Sequence, residues 1–360
     1  MTLAARGLRL CVLIVAVECV MVGAACSAEA SAIASSTTSL SSQTAGTRGG
    51  ATVHPALGVS VAPVRPTYSA QQSSFEGHEV YSSIPAHPVG VVYMFHGTGG
   101  GAGFVNKLET VDLLNTFVSQ GYGFVSTDST NRTTKQWNVT DPSVATNPDL
   151  ARLAKLRHFI IATTTVTAST PTYGIGMSNG SAFAALWAAT SERTGMKVSA
   201  VGLYMSAPRP VVFQTGGLEV PTFMVIAQND TVTNPSRERA VLRRIAANGT
   251  PTELKEVVQQ PIMAARYLRI PGVTQAMANA IVDAYQQAGV IDAKGNLIVP
   301  LPNVRAGEQA KPFGVTLPSS LSRSQNQAAS NETLATIGEH QFNAEFKVQN
   351  MEFFSTHRSS

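Results

Sequence analysis

Between positions 78 and 247 the chain alternates short apolar runs with segments in which apolar residues recur every three or four positions. Short apolar runs predict buried strands, whereas the wider spacing predicts amphipathic helices. Strands are predicted over 89–95, 122–127, 172–175, 198–205 and 222–227. Helices are predicted over about 106–119, 148–163, 180–193 and 235–247. This alternation predicts an α/β fold, with a mostly parallel sheet that helices flank on both faces.

After Asn248 the regular alternation ends. The pattern predicts one more strand over 253–258 and a helix over 274–288, which stops at Gly289. Near the end of the chain a last helix that docks on the sheet is predicted. Its evidence is a set of residues that share one helical face, namely Phe342, Phe346, Gln349 and Phe353.

A polar, Pro-containing stretch over 300–331 separates these helices. Together with the residues before it, this stretch makes a helical and irregular insertion over about 260–331. Long irregular stretches in compact domains are often functional lids or loops, and a surface excursion without a role fits the same pattern. The sequence leaves both interpretations open.

The first residues have the features of an export signal. Arg6 and Arg9 precede a largely apolar run over 10–25, which only Glu18 interrupts. We therefore predict a signal peptide over 1–26 and an exported protein that is secreted, periplasmic or tethered to a membrane. The alternative is an uncleaved anchor, although the run is shorter than the roughly 20 apolar residues of a membrane span.

The end of the leader resembles a bacterial lipoprotein cleavage site, because small residues precede Cys26. In that interpretation the Cys26 thiol would carry a lipid and attach the protein to a membrane. Ordinary cleavage near Ala28 or Ala30 is the alternative. Residues 27–53 are rich in Ser, Thr, Ala and Gly and predict a flexible tether, so the folded domain would span 54–360.

Cysteine and charge content narrow the possibilities further. All cysteines lie in the leader, at Cys11, Cys19 and Cys26, so the core must stabilise the domain without internal disulfides. Charged residues make up 13% of the chain, the net charge is +4, and the basic residues are scattered. This distribution gives no electrostatic reason to predict a nucleic-acid partner.

A G-x-S-x-G motif at 176–180 places Ser178 between a predicted strand and a predicted helix. On such a tight turn the serine hydroxyl points into solvent, where it can act as a nucleophile. The flanking glycines leave room for the neighbouring backbone. A buried start of a helix rich in Gly and Ser is the structural alternative.

The glycine-rich loop at 96–101 follows the strand predicted over 89–95. Backbone N–H groups in such a loop can stabilise the oxyanion that develops during acyl transfer. We assign this role to the N–H groups of Thr98 and Asn179, with Gly99 as the neighbouring candidate. The loop lacks the spacing of phosphate-binding and dinucleotide-binding motifs. His96 is interpreted as a structural residue of the turn.

A serine nucleophile needs a histidine to accept its proton and a carboxylate to orient that histidine. His340 is the preferred base, because it follows Ser178 in the chain and lies in a loop before the last helix. Asp230 is the preferred carboxylate, because it follows the strand over 222–227 and so reaches the same sheet edge as Ser178. The remaining acidic candidates are Glu339, Asp283 and Asp292, and Asp230 has the alternative role of a helix cap. The remaining histidines are interpreted as structural or exposed, namely His54, His78, His87, His158 and His357.

Together, His96-Gly97-Thr98-Gly99, the motif at 176–180, Gln228-Asn229-Asp230 and Glu339-His340-Gln341-Phe342 resemble the α/β-hydrolase superfamily. Within it, the chain is similar to secreted esterases related to polyhydroxybutyrate depolymerases and feruloyl esterases. The resemblance covers roughly 79–354. It implies a mostly parallel sheet flanked by helices and an enzyme that needs no metal or organic cofactor.

The sequence therefore predicts an exported serine hydrolase that cleaves a small or polymeric carboxylic ester through an acyl-enzyme. Ser178, Asp230 and His340 would form the catalytic triad, and Thr98 and Asn179 the oxyanion hole. An acyltransferase or an amidase would use the same residues. A tethered binding protein without catalytic activity on a hydrolase scaffold is the alternative from another functional class.

Overall fold

The strands form one eight-stranded sheet in the computed structural model, which describes residues 62–194, 196–304 and 309–358. The predicted signal peptide over 1–26, the tether over 27–53 and Cys26 lie outside the described residues. Within the described part of the chain, no helix has the length and apolar character to cross a membrane.

The sheet is mixed at one side and parallel over the rest. Its spatial order is β1-β2-β4-β3-β5-β6-β7-β8, and only β2 runs against the other strands. In chain order the strands are β1 (Gln71–Phe75), β2 (His78–Ser83), β3 (Gly90–Phe95), β4 (Tyr122–Thr127), β5 (Thr172–Met177), β6 (Val198–Tyr204), β7 (Thr222–Ala227) and β8 (Thr252–Val257). All residues of β3, β4, β6 and β7 are buried, as expected for strands that helices cover on both faces.

The helices connect the parallel strands and build the insertion. They are α1 (Leu108–Ser119), α2 (Pro148–Thr163), α3 (Asn179–Thr190), α4 (Pro210–Gln214), α5 (Pro235–Ala247), α6 (Ala264–Tyr267), α7 (Gln275–Gln287), α8 (Arg323–Thr336) and α9 (Lys347–Thr356). Apolar residues of α1 and α9 pack on one face of the sheet, and those of α2, α3 and α5 pack on the other. The predicted α/β fold, a mostly parallel sheet flanked by helices with an insertion before His340, is confirmed.

The structure differs from the sequence predictions in three places. The hairpin β1–β2 was not predicted, because its residues are mostly polar and only Val80 among them is fully buried. The end of the stretch over 300–331, predicted to be irregular, belongs to α8, which a capping box between Ser322 and Gln325 starts. The last helix begins at Lys347, so Phe342 precedes it and packs instead against Tyr204, with ring centroids 4.5 Å apart.

The insertion has an apolar core of its own. Buried residues from α6, α7, α8 and the loops between them pack together, including Tyr267, Ile281 and Leu334. The insertion leaves and rejoins the sheet at neighbouring points. The N–H of Gln260 donates to the carbonyl of Thr336 at 2.8 Å, and the N–H of Asn229 donates to the carbonyl of Gly338 at 2.8 Å.

A group of buried and partly buried charged side chains links the insertion to α1. Arg269 of the insertion lies 2.9 Å from Asp112 and 2.8 Å from Glu332, and it also contacts Glu109. Burial raises the pKa of Glu109, but the nearby arginines outweigh it, so the net pKa lies below its ordinary value. We call this group the charged cluster, and its members are Glu109, Asp112, Arg266, Arg269, Glu332 and Lys347.

Candidate active site

Ser178 occupies a strained turn between β5 and α3. Its φ of 56° and ψ of −119° lie outside the regions that non-glycine residues favour, and such strain is concentrated at functional sites. The N–H of Ser178 donates to the carbonyl of Tyr204 at 2.8 Å, which helps to hold this conformation. A Cβ on Gly176 would lie 2.1 Å from the carbonyl oxygen of Gly180, so a larger residue cannot replace Gly176 without moving the backbone.

The structure brings Ser178, His340 and Asp230 together although 162 positions separate Ser178 from His340. Nε2 of His340 lies 2.9 Å from the Ser178 hydroxyl oxygen, and Nδ1 lies 2.7 Å from Oδ2 of Asp230. His340 and Asp230 are buried, whereas Ser178 is partly exposed. The hydroxyl can therefore meet a ligand from solvent while the imidazole and the carboxylate stay shielded from it.

The Asp230 carboxylate is held by its own loop as well as by His340. Its Oδ1 accepts from the N–H groups of Val232 at 2.8 Å and Thr233 at 2.6 Å, and Oδ2 accepts from the Thr233 hydroxyl at 2.7 Å. Burial raises the pKa of Asp230, but the bonds from His340 and Thr233 outweigh it, so the net pKa lies below its ordinary value. Asp230 is therefore ionised at neutral pH and orients the imidazole.

Two further carboxyl groups, those of Glu339 and Glu238, lie near Asp230. Oε1 of Glu339 accepts from the backbone N–H of Thr231 at 2.8 Å and of His340 at 2.7 Å, so it joins the loops that carry the acid and the imidazole. Glu238, on the first turn of α5, is buried, and burial and the charge of Asp230 raise the pKa of its carboxyl to about 7. Glu339 was predicted only as a rival for Asp230, and no sequence pattern pointed to Glu238.

The remaining acidic candidates have local roles. Asp292 accepts from the N–H groups of Lys294 and Asn296, both at 2.8 Å, and so closes a turn of the insertion. Asp283 is exposed on α7. The cap of α5 is Asn234, whose side chain accepts from the N–H of Arg237 at 3.1 Å. Asp230 is therefore not the cap of that helix.

The glycine-rich loop at 96–101 lies against the nucleophile. A Cβ on Gly97 would be 3.4 Å from Cβ of Ser178. The N–H of Gly99 donates to the carbonyl of Lys135 at 3.1 Å, which leaves Thr98 as the candidate oxyanion donor of the two. The N–H of Asn179 belongs to the first residue of α3, where a helix offers no internal acceptor.

His96 is built into the turn. Its Nε2 accepts from the N–H of Ser129 at 3.1 Å, so Nδ1 carries the proton and donates to the carbonyl of Gly97 at 2.8 Å. Burial lowers the pKa of His96 to about 4, and the ring is neutral at pH 7. At the chain end, Nδ1 of His357 lies 2.8 Å from the carbonyl of Phe353 and so caps α9. Only His340 contacts Ser178 among the described histidines.

The loop over 129–137 contacts both Asn179 and the glycine-rich loop, and its role was not predicted from the sequence. Trp137, buried in this loop, is one of only two tryptophans in the chain. The one feature of the sequence that could have indicated a structural role for this loop is a single aromatic residue, Trp137, within a polar stretch. Among the described residues, no group of three or more His, Cys, Asp or Glu side chains is arranged to hold a metal ion.

No protein-family model and no curated protein sequence matches the chain. Similar solved structures include an acetyl xylan esterase from Aspergillus awamori, 14% identical over 49% of this chain and 79% of that chain, with a TM-score of 0.40. An esterase from Pyrococcus furiosus is 12% identical over 54% and 82%, with a TM-score of 0.41. A carboxylesterase from Bacillus cereus is 14% identical over 50% and 85%, with a TM-score of 0.39. At such scores the likeness carries no argument, and the fold rests on the sheet order above.

Proposed function

We propose that the protein is an exported serine hydrolase that cleaves carboxylic esters through an acyl-enzyme on Ser178. One observation supports the proposal most: the continuous hydrogen-bonded line from the Ser178 hydroxyl through His340 to Asp230, with distances of 2.9 Å and 2.7 Å. A nucleophile, a base and a group that orients the base are the minimum for this chemistry.

In the first half of the reaction, the Ser178 oxygen attacks the ester carbonyl carbon while its proton passes to Nε2 of His340. The carbonyl electron pair moves onto the oxygen, and the N–H groups of Thr98 and Asn179 stabilise the charge that develops there. When this intermediate collapses, the alcohol departs with the proton from His340. Asp230 stays ionised and holds the imidazolium in place.

In the second half, water replaces the alcohol. His340 takes a proton from the attacking water, and it returns that proton to the Ser178 oxygen as the second tetrahedral intermediate collapses and the carboxylic acid leaves. The same N–H groups stabilise both intermediates, because both place an oxyanion in the same position. The strained turn at Ser178 supports this role, since it exposes the hydroxyl to substrate.

Replacement of Ser178 by Ala tests the proposal. Hydrolysis of an activated aryl ester should fall by about 10⁴-fold to 10⁶-fold, to the residual level that substrate binding and the oxyanion hole provide. Labelling by a fluorophosphonate probe should disappear at the same time. The matched control is Ser119→Ala, because Ser119 is an exposed serine at the end of α1. Full turnover by the Ser178→Ala protein would refute the proposal.

Export is tested separately from activity. The features over 1–26 support cleavage of the leader, and Cys26 is the proposed site of lipid attachment. We expect the mature protein from a bacterial host to begin at Cys26 and to carry the added mass of a diacylglyceryl group on the Cys26 sulfur. The Cys26→Ala variant should then leave the membrane fraction. A mature chain that begins near Ala28 or Ala30 would refute lipid attachment and keep export.

A further inference from the structure

The loop over 129–137, which we call the clasp loop, runs between β4 and α2 and lies beside the nucleophile turn. It contacts both parts of the chain that would supply oxyanion donors. These are the glycine-rich loop at 96–101 and Asn179, which are about 80 positions apart in the sequence. The clasp loop therefore connects the segments that carry the Thr98 and Asn179 N–H groups. The covalent chain between these two residues is too long to fix the distance between their N–H groups.

Asn179 is bound on the first side of this bridge. Its side-chain Oδ1 accepts from the N–H of Trp137 at 2.7 Å, and its Nδ2 donates to the carbonyl of Trp137 at 3.3 Å. The amide thus pairs with both backbone groups of one residue. The Trp137 ring is fixed in turn, because it stacks on Phe183 with centroids 4.6 Å apart and meets Phe95 edge to face at 5.3 Å.

The glycine-rich loop is bound on the second side. The carbonyl of Lys135 accepts from the N–H of Gly99 at 3.1 Å. The indole N–H of Trp137 donates to the carbonyl of His96 at 2.9 Å. The guanidinium of Arg132 donates to the carbonyl of Gly100 at 3.3 Å. Lys135 has a φ of 51°, in the left-handed region that residues other than glycine rarely adopt, so its backbone is strained at the point where it binds Gly99.

We infer that the Asn179 side chain is a positioning residue, which works through Trp137 and the clasp loop to fix the spacing between the Thr98 and Asn179 N–H groups. The inference rests on the proposed function. Oxyanion donors lower a barrier only when they are already aimed at the position that the charge will occupy. Loss of the amide leaves the Asn179 N–H in the chain but removes its side-chain link to the clasp loop.

The test compares Asn179→Ala with Thr140→Ala, a control just beyond the clasp loop whose hydroxyl contacts only Asn138. For Asn179→Ala we expect kcat on an aryl ester to fall by about 10-fold to 100-fold, because a small misplacement of catalytic groups has effects of this size. KM should change less than about 3-fold, since the side chain acts on the transition state rather than on substrate binding. Thr140→Ala should match the parent protein.

A trifluoromethyl ketone separates positioning from a merely structural role. Ser178 adds to its carbonyl, the proton passes to His340, and the ketone oxygen becomes an oxyanion in the proposed hole. Its affinity should therefore fall by the same factor as kcat/KM. Trp137→Phe is the second variant, which keeps the backbone bonds to Asn179 and the ring stack but loses the indole bond to His96. It should lower kcat by about 3-fold to 10-fold, as expected for one neutral hydrogen bond.

Unchanged kcat and unchanged ketone affinity in Asn179→Ala would overturn the inference, as would a loss confined to KM. If Asn179→Ala fails to fold, Trp137→Phe decides, and parent-level kcat in that variant overturns the inference. Failure of the proposed function has a different signature, because Ser178→Ala would then keep its turnover. An inactive Ser178→Ala together with a fully active Asn179→Ala would refute the positioning role alone.

Discussion

The sheet edge that carries Ser178 and the insertion that follows β8 are stabilised by different kinds of interaction. At the sheet edge, most of the bonds around the nucleophile are short and neutral, from backbone groups, an amide and an indole. The insertion meets α1 through the charged cluster, in which guanidinium groups and carboxylates are buried together. In the line of hydrogen bonds from Ser178 to Asp230, the only full charge is that of the Asp230 carboxylate, which lies 2.7 Å from His340.

This difference agrees with the proposed function. Neutral backbone bonds fix atoms to within fractions of an ångström and keep their strength when pH changes, which suits donors that must be preorganised. Buried ion pairs contribute less to net stability, because desolvation offsets their attraction, but they are costly to break from one side. The charged cluster therefore specifies where the insertion docks. Changes at the sheet edge should alter the rate, and changes in the charged cluster should alter stability.

The largest effect is expected from Asp230→Asn. The amide keeps the shape of Asp230 but removes the charge that stabilises the imidazolium, and it favours the wrong tautomer of His340. We expect kcat to fall by about 10⁴-fold, in line with the same change in a serine protease triad. The midpoint of thermal unfolding should move by only a few degrees. A loss below 10-fold, measured on an aryl ester, would show that Asp230 does not orient the base.

The next effect is expected from Arg269→Met, which removes one of the two guanidinium groups that contact both Glu109 and Glu332. Removal of one member of a buried ion pair costs about 3–5 kcal/mol of the free energy of unfolding. The exposed pair Lys155–Glu76 is the control, and Lys155→Met should change that free energy by less than about 1 kcal/mol. Urea unfolding measures both. A large loss of kcat in folded Arg269→Met protein would contradict the division between the two regions.

A smaller effect, dependent on pH, is expected from Glu238→Gln. The pKa of this carboxyl is about 7 in the folded protein against an ordinary value of 4.5. Between those values the folded state keeps a proton that the unfolded state releases, so the free energy of unfolding falls as pH rises. Gln removes this loss. The variant should be more stable than the parent by about 1–3 kcal/mol at pH 8 and nearly equal to it at pH 4.

The control for this prediction is Glu219→Gln, since Glu219 is exposed. Urea unfolding of Glu219→Gln should show the same difference from the parent at pH 4 and at pH 8. Equal stability of Glu238→Gln and the parent at pH 8 would mean that the Glu238 carboxyl ionises in the folded state as it does in water.

Much of the fold could be predicted because the parallel strands are continuous apolar runs. β4, β7, α2 and α5 have the predicted bounds, and the errors at the remaining predicted elements between 89 and 258 are a few residues at each end. The hairpin β1–β2 was not predicted because its strands carry no apolar run and only Val80 among their residues is fully buried. Helix α8 escaped because its many small polar residues blur the helical period, and only its capping box marks the start.

The candidate site could be predicted as far as residue type and chain order allow. Ser178, Asp230 and His340 each follow a strand or precede a helix, and the carboxyl ends of parallel strands share one edge of the sheet. The supporting groups could not be predicted in this way. Trp137 binds the Asn179 side chain through its backbone N–H and carbonyl groups. Because every residue except proline has both groups, no pattern of side chains in the sequence predicts this contact. The proximity of Glu238 to Asp230 depends on the angle at which α5 leaves its loop.

The two ends of the insertion are neighbours, joined between Gln260 and Thr336, and this has a consequence for how such a chain can diversify. A segment whose entry and exit meet can be lengthened, shortened or exchanged as a cassette while Asp230 and His340 keep their separation. Changes in the length or sequence of the insertion would then enter the chain at that single junction and leave the line from Ser178 to Asp230 undisturbed.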